Sequence, residues 1–368
     1  MVAARQRLVR ASVVLLPLAL ACARPPAPWQ EVPLPTDARF NGVWFVDSLN
    51  GWIAGGARNA PGGLLGRTRD GGRTWSIRAA VVPGTGEDFH LGGVQFRDSL
   101  DGCALGSEGQ VLLTSDGGQN WRTVRTGRSS TDGMSRLVLL DWRDGWAVGP
   151  ATLIGTRDGG ETWSELVRNQ SENGYLSGNA VAFTDALNGW LVGHGGLLMR
   201  SGDGGRSWAR VSLPLPADAH PTLWDVTFVD ATTGWLVGED GALLHTRDGG
   251  VTWESQAKGV PVERVLPRGE KPRPPDVIPG LDGGPSRLTL TAIRFADRER
   301  GFALGHYSDA GESVILGTRD GGATWRTERV APGQFLHALC VLDRTHAWAV
   351  GDRERRLPQA IYRYSGRD

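Results

Sequence analysis

One eight-residue turn occurs six times in this 368-residue chain and constrains its fold more than any other feature. Each copy starts with Thr or Ser, contains Asp-Gly-Gly and ends with Trp, as in residues 246–253. Asp before two glycines indicates a tight turn, because the carboxylate accepts backbone N–H bonds and Gly adopts positive φ without strain. We therefore expect the Asp of each copy to hold its turn together rather than to act in catalysis. These residues are Asp70, Asp116, Asp158, Asp203, Asp248 and Asp320.

The spacing of the turns predicts the architecture. Successive aspartates are 46, 42, 45, 45 and 72 residues apart. A repeat of about 40–50 residues is typical of a four-stranded propeller blade. The last step is one such period plus an insertion, which we place at residues 258–287. Each repeat then consists of strands a, b, c and d, with the Asp turn between strands c and d.

A second motif precedes each turn and gives the number of blades. It consists of an apolar-x-Asp strand end, a short turn and a Gly-Trp-x-Val-Gly strand. Cys103 and Phe302 replace Trp in two of its copies. Seven copies occur: Phe45 to Gly55, Phe96 to Gly106, Leu139 to Gly149, Phe183 to Gly193, Phe228 to Gly238, Phe295 to Gly305 and Val341 to Gly351.

The beginning of the chain supplies what the seventh repeat lacks. That repeat has no Asp turn and no fourth strand. Residues 29–35 read Trp-Gln-Glu-Val-Pro-Leu-Pro and match residues 208–214, which form the fourth strand of another repeat. We predict an all-β, seven-bladed β-propeller of four-stranded blades, with an N-terminal strand closing the last blade. Such closure removes open sheet edges. Six or eight blades remain the alternatives.

The first residues resemble an export signal. Residues 1–21 contain three arginines and then a short apolar core, too short to span a bilayer. The sequence Ala-Leu-Ala-Cys at residues 19–22 resembles a bacterial lipobox. This resemblance predicts cleavage before Cys22 and lipidation of its thiol. An ordinary signal peptide cut near the same place is the alternative.

The predicted organisation follows from these signals. Residues 1–21 are a lipoprotein signal peptide, residues 22–28 a lipidated tether and residues 29–368 the propeller. We expect the exported protein to be lipid-anchored to a membrane of the bacterial cell envelope. Acidic and basic residues are equal in number, 40 of each, so no field of one sign favours a nucleic-acid partner.

The repeated turns resemble the Asp-box, or BNR, repeats of sialidases and sortilin-type receptors. Taken together, the motifs and their spacing are most similar to the photosystem II stability/assembly factor family, over about residues 29 to 364. This resemblance implies a non-enzymatic factor that escorts a membrane-protein client during assembly. The fold alone implies no activity, because propellers carry many unrelated functions.

The loops predict which face binds a partner. The a–b turns and the Asp turns share one face, whereas the b–c and d–a loops share the other and vary widely in length. Variable loops on a rigid scaffold are where binding usually occurs. A solvated rim without a ligand is the alternative, and the Pro-rich insertion is either a lid, a partner-binding segment or a tolerated loop. Candidate residues on this second face are Asn179, His194, Trp224, Glu239, His306 and His337.

Two classes of function remain open. A sialidase-like glycoside hydrolase needs three converging arginines, a Tyr activated by Glu, and an acid/base Asp. The four tyrosines lie in loops or in the predicted last strand of the seventh repeat, and no nucleophile elbow, phosphate loop or metal-binding spacing occurs, so we expect no cofactor or metal. We therefore favour a scaffold that binds a protein or peptide at a membrane surface.

Overall fold

The computed structural model describes residues 28–56, 62–80, 90–106, 109–126, 136–149, 152–168, 177–216, 218–256, 261–262, 276–277, 288–307, 312–353 and 359–366. Cys22 and residues 23–27 of the predicted tether lie outside these residues, as does most of the insertion. The described part is all-β and forms seven four-stranded antiparallel sheets, which confirms the predicted seven-bladed propeller. A single 3₁₀ turn, Glu239–Gly241, is its one helical element. Within this part, no helix is long and apolar enough to cross a membrane.

The first three blades follow one another along the chain, each with strands a to d in order. Blade 1 contains β2 (Arg39–Phe45), β3 (Gly51–Gly56), β4 (Gly63–Thr68) and β5 (Ser76–Ala80). Blade 2 contains β6 (Leu91–Phe96), β7 (Gly102–Gly106), β8 (Gln110–Thr114) and β9 (Arg122–Arg125). Blade 3 contains β10 (Arg136–Leu139), β11 (Gly145–Gly149), β12 (Thr152–Thr156) and β13 (Ser164–Arg168).

Blades 4 to 6 repeat this order. Blade 4 contains β14 (Gly178–Phe183), β15 (Gly189–Gly193), β16 (Leu197–Ser201) and β17 (Ala209–Arg210). Blade 5 contains β18 (Leu223–Phe228), β19 (Gly234–Gly238), β20 (Leu243–Thr246) and β21 (Glu254–Ser255). The insertion contributes a short antiparallel pair beside blade 6, β22 (Pro261–Val262) and β23 (Asp276–Val277). Blade 6 contains β24 (Leu288–Phe295), β25 (Gly301–Tyr307), β26 (Glu312–Thr318) and β27 (Arg326–Pro332).

Blade 7 joins the two ends of the chain. It contains β28 (Gln334–Val341), β29 (His346–Arg353), β30 (Ala360–Ser365) and β1 (Trp29–Pro33), with β1 at its outer edge. In the pairing of β1 with β30, Trp29 lies opposite Tyr364 and Pro33 opposite Ala360. The Trp29 ring is fully buried and meets Phe302 of blade 6 edge-on, with 5.2 Å between centroids. The predicted closure of the ring by the N-terminal strand is therefore confirmed.

Aromatic stacking joins neighbouring blades. The Trp of strand b stacks on the Phe that ends strand a of the next blade, with ring centroids between 3.4 and 4.0 Å apart. In blade 2 the Trp position is Cys103, and the facing residue of blade 3 is Leu139, in the same buried cluster. The stacked pairs are Trp52–Phe96, Trp146–Phe183, Trp190–Phe228, Trp235–Phe295 and Trp348–Phe45.

The hydrogen bonds of four of these tryptophans also explain why Phe replaces Trp in blade 6. Each donates its indole N–H to the carbonyl of the first Gly in the next blade's Asp turn. Phe302 faces blade 7, which has no Asp turn, so an indole N–H at this position lacks that acceptor. The four bonds are Trp52 to Gly117, Trp146 to Gly204, Trp235 to Gly321 and Trp348 to Gly71, with donor–acceptor distances of 3.1, 3.0, 2.9 and 3.0 Å.

Each Asp carboxylate is used inside its own turn. In Asp248, Oδ1 accepts the backbone N–H of Thr252 at 2.9 Å, and Oδ2 accepts the Thr252 hydroxyl at 2.5 Å. The following glycines adopt φ of +71° and +72°, which only Gly tolerates freely. The Thr252 bonds lower the pKa of Asp248 to about 2. Corresponding bonds occur at Asp70, Asp116, Asp158, Asp203 and Asp320.

Candidate functional site

The propeller has two chemically different faces. The first is the Asp-box face, made by the six Asp turns and the a–b turns. In the first blade the Gly71 N–H donates to the Leu49 carbonyl at 2.9 Å, which ties these two kinds of turn together. The opposite surface, made by the b–c and d–a loops, is the loop face. All six predicted partner-binding residues belong to strands or loops that meet the loop face.

Three of them form one cluster between blades 4 and 5. The exposed His194 ring lies 5.9 Å from the Trp224 ring, in a T-shaped arrangement. His194 Nδ1 is 3.3 Å from the hydroxyl of Thr222. The Thr222 N–H in turn donates to Glu239 Oε2 at 2.9 Å. Thr222 thus links His194 and Glu239, and the sequence interpretation did not identify it.

Trp224 carries a donor without a partner. Its ring is half-buried, and its indole N–H is buried with no hydrogen-bond acceptor in the described part of the chain. A buried donor left unpaired costs about 1–3 kcal/mol. Other unpartnered indole N–H groups belong to the buried clusters of the core, namely Trp121, Trp190, Trp253 and Trp325. Trp224 is therefore the one of these tryptophans that is only half-buried, and a ligand on the loop face can reach its donor once the side chains that cover it move.

Asn179 also has a structural task. It occupies a β-bulge at the start of strand a, and its Nδ2 donates to the Leu223 carbonyl of blade 5 at 2.9 Å. Asn41 makes the equivalent bond to the next blade at 3.1 Å, and Thr291 does the same at 3.1 Å. The Asn179 amide thus joins two blades. Its acceptor is a backbone carbonyl from another repeat, which a sequence pattern does not reveal.

The remaining two predicted residues lie in a second cluster, on blades 6 and 7. The His306 ring is 4.3 Å from that of Phe335, and His337 Nδ1 is 2.9 Å from the Phe335 carbonyl oxygen. Burial lowers the pKa of both histidines, although Asp352 acts in the opposite direction on His337. Burial thus favours the neutral form of both rings. Phe335 is 44% exposed and was not among the candidates predicted from the sequence.

The axis of the propeller contains an ion cluster that the sequence did not predict. A channel of about 450 Å³ runs between the inner strands and is lined in part by Arg136 and Arg294. Both guanidinium groups bind the same carboxylate, that of Asp225, at 3.1 and 2.5 Å. Asp225 is 1% exposed and also accepts the Ile293 N–H at 3.1 Å. The carboxylate is thus fully paired, and blades 3, 5 and 6 are connected across the channel.

A sequence signal for this cluster exists in retrospect. Arg136 and Asp225 occupy the strand-a position that is Gly or Ala in the five other blades, where a small residue leaves room for the next blade. In blade 1, for example, a Cβ on Gly42 would lie 3.1 Å from the backbone of Gly93. Charged residues at a position that is otherwise small indicate a local interaction. The small residues are Gly42, Gly93, Ala180, Ala292 and Ala338.

The groups required by a sialidase do not meet in the described channel. Its two arginines are both paired with Asp225. A Tyr–Glu pair exists elsewhere: the Tyr362 hydroxyl lies 3.3 Å from Glu31, where β30 meets β1. Tyr362 is 1% exposed, and burial raises its pKa to about 12, the opposite of what an activated nucleophile requires. Among the described residues, no group of three or more His, Cys, Asp or Glu is arranged to hold a metal ion.

Two relatives with assigned names resemble parts of the chain. It is 30% identical over 145 residues to the photosystem II assembly lipoprotein Ycf48 of Synechococcus sp. (strain CC9902), which is 38% of this chain and 40% of that protein. It is 27% identical over 247 residues to the photosystem II assembly lipoprotein Ycf48 of Picosynechococcus sp. (strain ATCC 27264 / PCC 7002 / PR-6), which is 52% of this chain and 67% of that protein. The first match thus spans less than half of the relative.

The fold and the family agree with these matches. A solved structure described as YCF48 bound to D1 peptide superimposes with a TM-score of 0.65 at 19% identity, covering 92% of this chain and 97% of that one. This likeness concerns the fold. The sequence model of the family described as photosynthesis system II assembly factor YCF48 matches residues 22–138, 132–219 and 214–265, which is more than half of the chain. The chain therefore belongs to the photosynthesis system II assembly factor YCF48 family.

Proposed function

We propose that this chain is a non-enzymatic, lipid-anchored propeller that binds a peptide segment of a membrane-protein client during assembly at the cell envelope. Membership of the family supports this function, as do relatives named assembly lipoproteins and a solved relative bound to a peptide. Lipidation of Cys22 after removal of residues 1–21 supplies the anchor, and residues 22–28 supply the tether. The propeller then comprises residues 29–368.

The observation that carries the proposal is the unpartnered indole N–H of Trp224 on the loop face. A peptide offers a backbone carbonyl at every residue, so an extended segment across blades 4 and 5 satisfies this donor. The neighbouring His194 and Glu239 add polar contacts, and the exposed Phe335 ring offers apolar area on blade 7. Aromatic anchors surrounded by polar groups are typical of binding surfaces.

Site-specific photo-crosslinking tests the proposal in native membranes. A photoreactive phenylalanine replaces Phe335 on the loop face in one variant and Leu187 on the Asp-box face in another. We expect the first probe to crosslink to a segment of a membrane protein and the second not to do so. Crosslinking of the same proteins by both probes, or no crosslinking of a membrane protein by the first, contradicts the proposal.

A pair of conservative substitutions tests the role of the indole donor. Trp224→Phe removes the N–H and retains an aromatic ring. Trp253→Phe removes an unpartnered N–H in the core and is the matched control. We expect about a tenfold loss of client crosslinking for Trp224→Phe, because the client's carbonyl then loses its partner, and none for Trp253→Phe. Equal crosslinking by the two variants contradicts the role of Trp224. In a separate assay, hydrolysis of a fluorogenic sialoside by the protein would support the glycosidase alternative.

A further inference from the structure

Exposed apolar side chains are concentrated on the Asp-box face. Six large hydrophobic residues are exposed in the described part of the chain, and five of them lie on this face. The exception is Phe335, on the loop face, at 44% exposure. The five are Leu49, Leu100, Leu140, Leu187 and Val251, with exposures of 51%, 53%, 36%, 53% and 57%.

Three of these leucines occupy the same position in different blades. Leu49, Leu100 and Leu187 are each the fourth residue of an a–b turn, in blades 1, 2 and 4. Their carbonyls accept the N–H of the first Gly in the Asp turn of the same blade, at 2.9, 2.8 and 2.8 Å. These hydrogen bonds fix the turn backbone, so the side chains stay in solvent on one side of the ring. A repeated exposed Leu contributes nothing to the core of its own blade.

The same face carries charge of both signs. Its a–b turns contribute ten acidic residues and five arginines, and its Asp turns contribute further arginines beside their aspartates. The residue just before the turn Asp is Arg in four of the six copies, and the residue after Gly-Gly is Arg in two. The one acidic residue at these variable positions is Glu161. The Asp carboxylates between them are engaged by hydrogen bonds of the turn. The arginines are Arg69, Arg157, Arg247 and Arg319 before the Asp, and Arg73 and Arg206 after the glycines.

The chain also enters the propeller on this face. The Pro28 carbonyl accepts the Ser365 N–H at 3.1 Å, at the end of β30 that corresponds to the start of an Asp turn in the other blades. From there β1 runs toward the loop face. Cys22 is six residues before Pro28, so an extended tether reaches at most about 22 Å. A lipid on Cys22 therefore has to enter the bilayer close to the Asp-box face at blade 7.

From these observations we propose that the Asp-box face docks on the surface of a phospholipid bilayer. The exposed leucines insert at the level of the headgroups, and the arginines bind lipid phosphates. The loop face then points away from the bilayer, toward the client. This orientation rests on the proposed lipid anchor at Cys22, and it assigns the two faces different partners.

Fluorescence quenching in vesicles measures the orientation directly. The lipidated protein is labelled at a single introduced cysteine and bound to vesicles of phosphatidylcholine and phosphatidylglycerol that contain a quencher in the lipid chains. Ala323→Cys places the label on the Asp-box face, and Asp218→Cys places it on a d–a loop; both positions are exposed. The native Cys103 and Cys340 are buried, and burial raises the pKa of both thiols, so they do not compete for the label.

We expect strong quenching at residue 323 and little at residue 218. The triple variant Leu49→Ser, Leu100→Ser and Leu187→Ser should reduce quenching at residue 323 and weaken vesicle binding of an unlipidated Cys22→Ser form by about tenfold. Phe335→Ser is the matched control, because it removes an exposed hydrophobic side chain from the other face and should change neither. Stronger or equal quenching at residue 218, or a triple variant that behaves like Phe335→Ser, overturns the docking proposal.

The two proposals fail in different ways. Client crosslinking that persists with a reversed quenching pattern contradicts the orientation alone. The expected quenching without any client crosslinking contradicts the proposed function alone. If mass spectrometry of the N-terminal fragment shows no lipid on Cys22, the anchor and the orientation that depends on it are both overturned.

Discussion

The indole ring of Trp348 lies flat on the phenyl ring of Phe45, with centroids 3.4 Å apart and ring planes inclined by 5°. Trp348 belongs to the last blade and Phe45 to the first. The indole N–H also donates to the Gly71 carbonyl at 3.0 Å, in the Asp turn of the first blade. The propeller is therefore closed in two ways: by the pairing of β1 with β30 inside blade 7, and by this contact between blades 7 and 1.

Removing the ring of Trp348 should be costly. We expect Trp348→Ala to lower the free energy of unfolding by about 3–5 kcal/mol, because a fully buried aromatic side chain is replaced by a cavity. Trp348→Phe keeps the stacking and loses one hydrogen bond, so it should cost only about 1 kcal/mol. The Gly71 carbonyl keeps a hydrogen-bond donor in this variant, because Arg363 Nε also donates to it, at 2.7 Å. Urea unfolding measures the free energy of unfolding of both variants. Equal losses in the two would contradict the larger contribution assigned to the buried aromatic ring.

The Asp turns should make stability fall at acid pH. The pKa of Asp70, Asp116 and Asp248 is about 2, below the usual 3.8. Burial acts to raise it for Asp70 and Asp116, but hydrogen bonds within the turn outweigh burial. A carboxylate with a lowered pKa in the folded state contributes fully above pH 3.8, and its contribution is lost as pH falls toward 2.

We therefore expect the Tm to be nearly constant between about pH 7 and pH 5 and to fall steeply below about pH 4. The triple variant Asp70→Asn, Asp116→Asn and Asp248→Asn should have a lower Tm at pH 7 and a smaller further fall on acidification. Asp218→Asn, on an exposed loop, is the control and should follow the native profile. Differential scanning calorimetry measures all three profiles. A triple variant as acid-sensitive as the native chain would refute the assignment.

The effects on stability of substitutions in the axial ion cluster should be strongly coupled to one another. Asp225→Ala leaves Arg136 and Arg294 without their shared carboxylate, and we expect a loss of about 3–5 kcal/mol in the free energy of unfolding. Replacing both arginines with Met as well removes the uncompensated charges, and stability should largely return. Urea unfolding of the single and triple variants measures the difference. A triple variant that is less stable than Asp225→Ala would contradict this account.

Loss of the closing strand should cause self-association. A chain that begins at residue 36 lacks β1, so it exposes the edge of β30 and the buried rings of Tyr362 and Tyr364. An open strand edge is a template for pairing with another molecule. We expect oligomers in analytical ultracentrifugation and monomers once a peptide of residues 28–35 is added. The same peptide with Trp29→Ala should not restore monomers.

The fold was predictable because its determinants are local. Asp248, Gly249 and Gly250 define a turn by backbone conformation and short-range hydrogen bonds, and the same requirement recurs in every copy. The N-terminal strand was recognisable because it repeats the pattern of a fourth strand at residues 208–214. Because the same local interactions recur in successive repeats, the number of blades and the closure of the last blade by β1 could be predicted from the sequence.

The candidate site was only partly predictable because its contacts are not local. The sequence interpretation assigned Asn179 to partner binding, but its amide donates to the backbone of the next blade. Arg136, Asp225 and Arg294 come from three blades, and their meeting at the axis depends on the geometry of the ring. The replacement of Trp by Phe302 is likewise explained by an acceptor that the neighbouring blade lacks.

The pairing of β1 with β30 gives the molecule a mechanical property. Five residue pairs, from Trp29 opposite Tyr364 to Pro33 opposite Ala360, connect the N-terminal tether to the rest of the protein. A force on the tether acts along β1 and loads this short ladder in shear, so its hydrogen bonds resist together. Blade 7 can form only after synthesis has reached its C-terminal strand, and from then on the same five residue pairs bear any tension from the proposed lipid anchor.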